Sequence, residues 1–268
     1  MKSKHYYKNR FFLGALIIII ILSTDILLHK GMVRILIPDS FIKTRPPADF
    51  PHCGQQLVIN SKIWRKAIDS ADAMNKLPSN IAGFEVDVYF DSSINSFYVY
   101  HDSSGMSTIK IEDLLDIFRN RNLSASIWFD FKNLNSDNHE KALNAFIEIR
   151  KNYDLQDKMI IESTKIKYLP AYCDSGFFTS YYISFFNPYL LKENELNQIA
   201  DSISNNLERY PVSALSGYYF QYPFLKKYFP NYPILTWADK SSLSIVSFIF
   251  NRSLQKEEHV KIILYTEN

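Results

Sequence analysis

Glycine is scarce in this sequence, with only seven residues in a chain of 268, so the turns must rely on Asn, Asp, Ser and Pro. Cysteine is scarcer still. Cys53 and Cys173 are too few for a disulfide-rich scaffold and lack the close spacing of a zinc site. A bond between them is possible, but nothing in their spacing supports it. Apolar residues are plentiful, at 47% with 20 Phe and 18 Tyr, which excludes a disordered chain.

Positive charge is also lacking once the amino-terminal segment is set aside. Residues 1–34 hold six basic residues and one acid, Asp25, which leaves 24 basic and 27 acidic residues for the rest of the chain. The main part of the protein therefore has a net charge of −3 and no basic surplus with which to bind phosphate backbones. This balance excludes a nucleic-acid-binding function.

One long hydrophobic run is present, at positions 11–28, and four basic residues precede it. Eighteen helical residues extend about 27 Å, close to the thickness of a bilayer core, and the basic flank favours a cytoplasmic amino terminus. A cleaved signal peptide is the alternative, although Ser23-Thr24-Asp25 is a poor cleavage site. We predict a cytoplasmic stub and single-pass anchor over residues 1–30 and a proline-containing spacer over 31–48. A catalytic domain over 49–268 is expected outside the cytoplasm.

Short β-type runs alternate with helical patterns from residue 48 onward. The predicted strands are Asp49–Cys53, Gly83–Tyr89 with Phe97–His101, Ala125–Phe131, Lys158–Ser163, Thr179–Phe185, Val212–Gly217, Pro233–Trp237 and Val260–Tyr265. Helices are predicted at 62–76, 111–121, 137–152, 192–209, 220–229 and 240–250. This alternation is typical of βαβ units, and about eight parallel strands predict an α/β fold of the (β/α)8 TIM-barrel type. An open doubly wound sheet is less favoured, because no Gly-rich loop follows the first strand.

Ionisable residues cluster at the predicted carboxyl ends of these strands, where barrel enzymes build their sites. Residues two apart on a strand share a face, so Glu85 pairs with Asp87 and Asp130 with Lys132. Three converging carboxylates predict one hard divalent cation, Mg²⁺ or Ca²⁺. Histidines at two predicted strand ends, His52 and His101, suit general acid–base catalysis at phosphorus.

The order of these motifs resembles the signature of glycerophosphodiester phosphodiesterases. The matching segments are Phe50-Pro-His-Cys-Gly54, Asn60-Ser61, Gly83-Phe-Glu-Val-Asp-Val88, Tyr100-His-Asp102, Ile127-Trp-Phe-Asp-Phe-Lys132 and Leu235-Thr-Trp-Ala-Asp-Lys240. The resemblance spans residues 50–266, although 164–231 contribute little to it. Asp130, in place of the usual Glu, is closer to the sphingomyelinase D branch of the same superfamily.

This resemblance implies a role for each matched residue. It implies a TIM barrel in which His52 and His101 are catalytic and Glu85, Asp87 and Asp130 hold the metal. Lys132 and Trp237 are expected to bind substrate, and Asn60 and Asp102 to support the site. The implied reaction is cleavage of a glycerophosphodiester or a phospholipid or lysophospholipid head group.

One departure from the family pattern bears on activity. The arginine that usually follows the first histidine is Cys53 here, which we expect to be a small buried packing residue rather than a nucleophile. This change favours one alternative to an enzyme, a barrel that binds a ligand without turnover. A phospholipase D-type lyase that forms a cyclic phosphate also stays open beside hydrolysis, because both reactions use the same site residues. A scaffold role in the cell envelope rests on the anchor alone.

Overall fold

The computed structural model describes residues 2–37, 49–101, 108–239, 241 and 243–266, with side chains from residue 11 onward. Two helices come first, α1 (Lys2–Leu28) and α2 (Lys30–Leu36). The strands that follow are β1 (Ile63–Arg65), β2 (Gly83–Asp91), β3 (Ser96–Val99), β4 (Ser126–Phe131), β5 (Met159–Ser163), β6 (Phe178–Tyr182), β7 (Ala214–Tyr218), β8 (Ile234–Trp237) and β9 (Val260–Tyr265). The helices among them are α3 (Ala71–Lys76), α4 (Ile111–Asn120), α5 (His139–Asn152), α6 (Leu169–Asp174), α7 (Glu193–Arg209), α8 (Tyr222–Tyr228) and α9 (Ile245–Lys256).

Eight parallel strands close into a barrel. The order runs β1-β9-β8-β7-β6-β5-β4-β2, and pairing of Arg65 with Phe84 joins β1 to β2 and closes the circle. The remaining strand, β3, pairs antiparallel with the outer half of β2 as an extension of the barrel wall. Closure confirms the predicted TIM barrel and rules out the open doubly wound sheet.

The first barrel strand is not where the sequence pattern predicted it. Residues 49–53 form no strand, and the barrel begins at Ile63, inside the segment 62–76 that was predicted to be helical. Three residues are too few to display a period-2 pattern, so this strand is defined by its pairing with β9. The other predicted strands are confirmed to within a few residues.

Most of the predicted helices are confirmed because each has an apolar stripe that packs on the barrel. In α7 the buried residues Leu196, Ala200, Ile203 and Leu207 recur every three or four positions. The carboxylate of Glu195 accepts the backbone N–H of Lys192 at 2.8 Å and so caps the first turn. The short helix α6 was not predicted.

An apolar layer seals the amino-terminal half of the barrel interior. It combines side chains from seven of the eight barrel strands with Ala82, which immediately precedes β2: Trp64, Ala82, Trp128, Ile160, Phe178, Ala214, Leu235, Ile262 and Leu264. Gly83 allows the closest approach in this layer, because a Cβ atom there would meet the Trp64 ring at 2.2 Å. Because of this apolar layer, polar side chains can line only the carboxyl-terminal half of the barrel interior.

The segment before β1 crosses the amino-terminal end of the barrel. The N–H of Cys53 donates to the carbonyl of Val212, just ahead of β7. The N–H of Val58 donates to the carbonyl of Asp157, just ahead of β5. A disulfide joins Cys53 to Cys173 at the end of α6. The expectation that Cys53 is merely a packing residue is therefore wrong, because folding brings together two cysteines 120 positions apart.

The region predicted as a spacer contains regular structure in its first part. Helix α2 packs on the barrel, and its Met32 is buried with Ala238, Val246 and Phe250. A spacer would leave this residue in solvent, so the prediction is wrong for residues 31–36. Residues 38–48 lie outside the described part of the chain.

Candidate active site

Two neighbouring strands bring three carboxylates to the open end of the barrel. Glu85 and Asp87 point inward from β2, and Asp87 lies in register with Asp130 on β4. One ligand oxygen from each of the three residues lies within 4.8 Å of the others. The alternation of side chains along a strand thus gathers them as the sequence predicted.

Lys132 is the cation that balances this cluster. Its Nζ lies 2.6 Å from Oδ1 of Asp87 and also contacts the carboxylate of Asp130. Burial alone would lower the pKa of the Lys132 ammonium, but the charges of Asp130 and Asp87 raise it well above its ordinary value. Lys132 therefore supplies a positive charge beside the carboxylates of Asp87 and Asp130.

The carboxylates remain poorly compensated even so. Burial, followed by the charges of Asp87 and Asp130, raises the pKa of Glu85 well above its ordinary range. Burial also raises the pKa of Asp130, although Lys132 opposes this effect. With the carboxyl groups ionised, Oδ2 of Asp87 is buried and accepts no hydrogen bond from any described residue. Clustered carboxylate oxygens of this kind suit a hard divalent cation, whose charge would compensate theirs.

The loop after β1 contacts the carboxylate of Glu85 and the backbone of Asp87. The N–H of Ala67 donates to Oε2 of Glu85 at 2.6 Å, and Ala67 adopts the left-handed conformation with a φ of 59°. Oδ1 of Asp69 accepts the N–H of Asp87 at 3.0 Å. Burial and the neighbouring Asp87 charge raise the pKa of Asp69 to about 7. The loop therefore fixes Glu85 through a backbone N–H and Asp87 through the side chain of Asp69.

Two further ionisable residues in the cavity were missed from the sequence. Lys66 follows β1 and lines the cavity, with its Nζ 5.5 Å from the centre of the Trp237 ring. Glu162 on β5 is in register with Asp130, and burial together with the Asp130 charge raises its pKa well above the ordinary value. Glu162 follows the apolar residues 159–161 near the end of β5, a strand-end signal that was available, whereas Lys66 lies in a segment that was wrongly predicted to be helical.

Aromatic side chains form the opposite wall of the cavity. Tyr182, Tyr218 and Trp237 line it from β6, β7 and β8. Trp237 contacts Tyr182 and Tyr218 edge to face, with ring centres 5.3 and 4.8 Å apart. The cavity holds about 100 Å³, room for a phosphoryl group beside the carboxylates. Trp237, which was predicted to lie in the substrate pocket, lines this cavity.

His101 is the one predicted histidine that reaches this cavity. It lies at the exposed rim beyond β3, and its carbonyl accepts the hydroxyl of Tyr89 at 3.4 Å. The neighbouring Asp102 lies outside the described residues.

The structure does not bring His52 or Asn60 to the site. His52 lies edge to face with Tyr232, just ahead of β8, with ring centres 6.1 Å apart. Asn60 is exposed just ahead of β1. All barrel strands are parallel, so both residues lie at the amino-terminal end while the cavity opens at the other end. Lys66, at the end of the actual first strand, occupies the position predicted for His52.

Comparison with solved structures extends the description of the fold. No protein-family sequence profile matches the chain, and no significant match is found among curated proteins. A candidate glycerophosphoryl diester phosphodiesterase from Silicibacter pomeroyi DSS-3 is similar in structure, with a TM-score of 0.53 and 10% identity over 79% of this chain and 91% of that chain. A second candidate enzyme of that name, from Agrobacterium tumefaciens str. C58, gives a TM-score of 0.52 and 8% identity over 77% and 93%. A glycerophosphodiester phosphodiesterase from Parabacteroides distasonis ATCC 8503 gives 0.50 and 14% over 77% and 93%.

These similarities show the fold. At 8–14% identity they carry no residue roles to this chain. The chemistry rests on the cavity itself.

Proposed function

We propose that this protein is a metal-dependent phosphodiesterase that cleaves a glycerophosphodiester or a phospholipid-type phosphodiester. The observation that carries the proposal is the convergence of Glu85, Asp87 and Asp130 with Lys132 and Lys66 in one aromatic-walled cavity. The carboxylates suit a divalent cation, and the lysine ammonium groups suit the phosphate that the cation would bind. The TIM-barrel fold of the similar structures is consistent with this reading.

The proposed metal ligands are Glu85, Asp87 and Asp130. Their carboxylate oxygens suit Mg²⁺ or Ca²⁺. Such an ion, when bound, stabilises charge on the phosphoryl oxygens as a Lewis acid. Lys132, already paired with Asp87 and Asp130, holds these carboxylates in place and presents a positive charge to the same oxygens.

The remaining residues of the cavity divide between binding and proton transfer. Lys66 lies on the cavity wall and binds a phosphoryl oxygen, while Trp237 packs against the organic part of the substrate. His101, at the rim, exchanges a proton with the attacking or leaving oxygen. Asp102 remains its proposed supporting residue. The two-histidine scheme drawn from the sequence is replaced by proton transfer at His101 alone, because His52 is at the other end of the barrel.

We also propose that α1 is an uncleaved membrane anchor and that the barrel lies outside the cytoplasm. Residues 11–28 are apolar, with a mean hydropathy of 2.7, and are exposed rather than packed in a core. Oδ2 of Asp25 accepts the N–H of Val246 at 3.0 Å, so removal of α1 would take away a bond at the start of α9. The disulfide between Cys53 and Cys173 suits an oxidising compartment.

Turnover of soluble and lipid diesters tests the proposed reaction. The full chain in detergent is expected to release alcohol from glycerophosphodiesters or lysophospholipids when Mg²⁺ or Ca²⁺ is present, and phosphorus NMR distinguishes a monoester from a cyclic phosphate. His101→Ala is expected to lower kcat about 10²–10⁴-fold. His52→Ala serves as the matched histidine variant and is expected to keep full activity. Equal losses in both variants would contradict the assignment.

A second candidate function is ligand binding without turnover. The observation that favours it is the single histidine among the described residues that line the cavity. A binding protein would show divalent-dependent affinity for a glycerophosphodiester by calorimetry and release no product over hours. Product formation that depends on His101 would exclude this alternative.

A further inference from the structure

The amino-terminal half of α9 exposes an apolar face to solvent. Ile245, Phe248 and Ile249 are 54%, 64% and 50% exposed, and the preceding Leu243 is 96% exposed. Positions 245, 248 and 249 share one side of the helix, and the next residue on that side, Arg252, is exposed and basic. We call Leu243, Ile245, Phe248 and Ile249 the α9 face. These four exposed apolar side chains are grouped together, unlike the single apolar residues that are common on protein surfaces.

This face lies beside the point where α1 joins the barrel. Asp25, in the last turn of α1, accepts the N–H of Val246, and Oγ of Ser244 lies 3.3 Å from Nδ1 of His29, the residue that follows α1. Nδ1 of His29 also lies 3.0 Å from Oδ1 of Asp25, so the joint is a polar cluster that fixes the end of α1 against α9. Any membrane that holds α1 must therefore come close to the α9 face.

The length of α1 makes that approach closer still. Asp25 is bonded to α9, so the uninterrupted apolar part of α1 before this bond runs from Phe11 to Thr24, and the exposed Ile26, Leu27 and Leu28 lie at the level of the joint. Fourteen helical residues extend about 21 Å, against about 30 Å for a bilayer core. The shortfall of roughly 9 Å is relieved when the side chains around the joint enter the interface. The α9 face supplies apolar side chains at that level, and Arg252 supplies a positive charge toward the lipid phosphates.

The joint is also at the catalytic end of the barrel. Helix α9 begins shortly after β8 ends at Trp237, which lines the cavity. On the same end, Phe185 is 63% exposed and its ring centre lies 5.1 Å from that of the cavity residue Tyr218. Leu190, 74% exposed, belongs to the same connection between β6 and α7. Apolar side chains thus border the cavity on the side of the anchor.

We propose that the α9 face inserts into the lipid interface and turns the mouth of the barrel toward the bilayer. The substrate class that follows is a membrane phospholipid or lysophospholipid, whose phosphodiester lies at head-group depth within reach of the cavity. This substrate assignment rests on the proposed phosphodiesterase function. The docking of α9 on the bilayer does not.

Spin labels measure the docking directly. Both cysteines of the described chain are in the disulfide, so a cysteine introduced at position 248 can be labelled selectively in the full chain. In vesicles of phosphatidylcholine with phosphatidylglycerol, the label on Phe248→Cys is expected to be accessible to oxygen and shielded from a water-soluble nickel chelate. Glu258→Cys, exposed just ahead of β9 at the far end of the barrel, is the matched control and is expected to show the opposite pattern.

Other outcomes at position 248 would overturn the proposal. An aqueous signal like that of position 258 would show that the face remains in water. Shielding from both reagents, with dipolar coupling between labels, would show that a second copy of the chain covers it instead.

Turnover separates the docking from the reaction. Phe248→Ser with Ile249→Ser is expected to reduce cleavage of vesicle lysophospholipid about tenfold and to leave cleavage of soluble glycerophosphodiester within twofold. Val58→Ser, which removes an apolar side chain that is 39% exposed at the amino-terminal end, should change neither rate. Equal rates on vesicles for parent and double variant would refute the substrate assignment. Absence of cleavage of any diester, with the label still in lipid, would refute the phosphodiesterase function and leave the docking intact.

Discussion

Removal of one carboxylate from the cavity should separate metal binding from folding. The oxygens of Glu85, Asp87 and Asp130 lie within 4.8 Å of one another, where two unit charges repel by at least about 3.5 kcal/mol at an effective dielectric constant of about 20. Asp87 faces two such neighbours and one compensating cation, Lys132. We therefore expect Asp87→Asn to be at least as stable as the parent protein in chelator at pH 8.

The same substitution should abolish stabilisation by a divalent cation. An ion present at 100 times its dissociation constant stabilises the parent by about 2.7 kcal/mol, which for a domain of this size raises Tm by about 5–11 °C. Asp87→Asn removes a ligand charge and is expected to show almost no shift. Thermal unfolding of the full chain in detergent, followed by circular dichroism with and without Mg²⁺ or Ca²⁺, measures both effects.

An exposed carboxylate provides the control for this experiment. Asp72 is 75% exposed on α3, where it pairs with Lys76 at 2.6 Å. Asp72→Asn should keep the full response to the ion. A parent protein whose Tm does not respond to either ion, or an Asp87→Asn variant that responds as strongly as the parent, would refute the assignment of the metal site.

Three further predictions concern pH, the disulfide and the barrel interior. The pKa of Asp69 is raised to about 7 in the folded protein, whereas in the unfolded chain this carboxyl group loses its proton near pH 4. The metal-free protein should therefore lose stability in chemical denaturation as pH rises from about 4 to 7. A denaturation midpoint and Tm that increase over this range would contradict the prediction. Replacement of Cys53 and Cys173 by Ala should reduce the free energy of unfolding by about 2–5 kcal/mol in urea, and an unchanged midpoint would show that the bond does not restrain the chain. Gly83→Ala places a methyl group against the Trp64 ring and should cost about 1–3 kcal/mol by the same assay, whereas a neutral result would mean that the ring shifts freely.

The carboxylate cluster was predictable because its determinants are local. Side chains alternate along a strand, so Glu85 and Asp87, like Asp130 and Lys132, share a face wherever the strand lies. Because parallel strands end at a common edge, β2 and β4 needed only to be neighbours for the cluster to form. The apolar stripes of α7 and the alternation of strands and helices indicated the barrel in the same way.

The positions of His52 and Lys66 depended on pairing between distant segments. Residues 63–65 become the first strand because β9, nearly 200 positions later, offers backbone partners to them. The segment that contains His52 lies instead across the amino-terminal end, bonded to residues ahead of β5 and β7 and tied by its neighbour Cys53 to α6. A strand this short carries no periodicity, so the sequence pattern favoured the wrong segment.

The amino-acid sequence by itself determined the class of fold, the carboxylate cluster and the apolar amino-terminal helix, since each follows from patterns within a few neighbouring residues. Only the tertiary structure decided which residue takes the place of the expected first histidine, that the cysteines are bonded, and that α1 meets the barrel at the end where the cavity opens. The physical reason is that these contacts join residues more than one hundred positions apart, as with Asp25 and Val246, and their energies appear only when the barrel has closed.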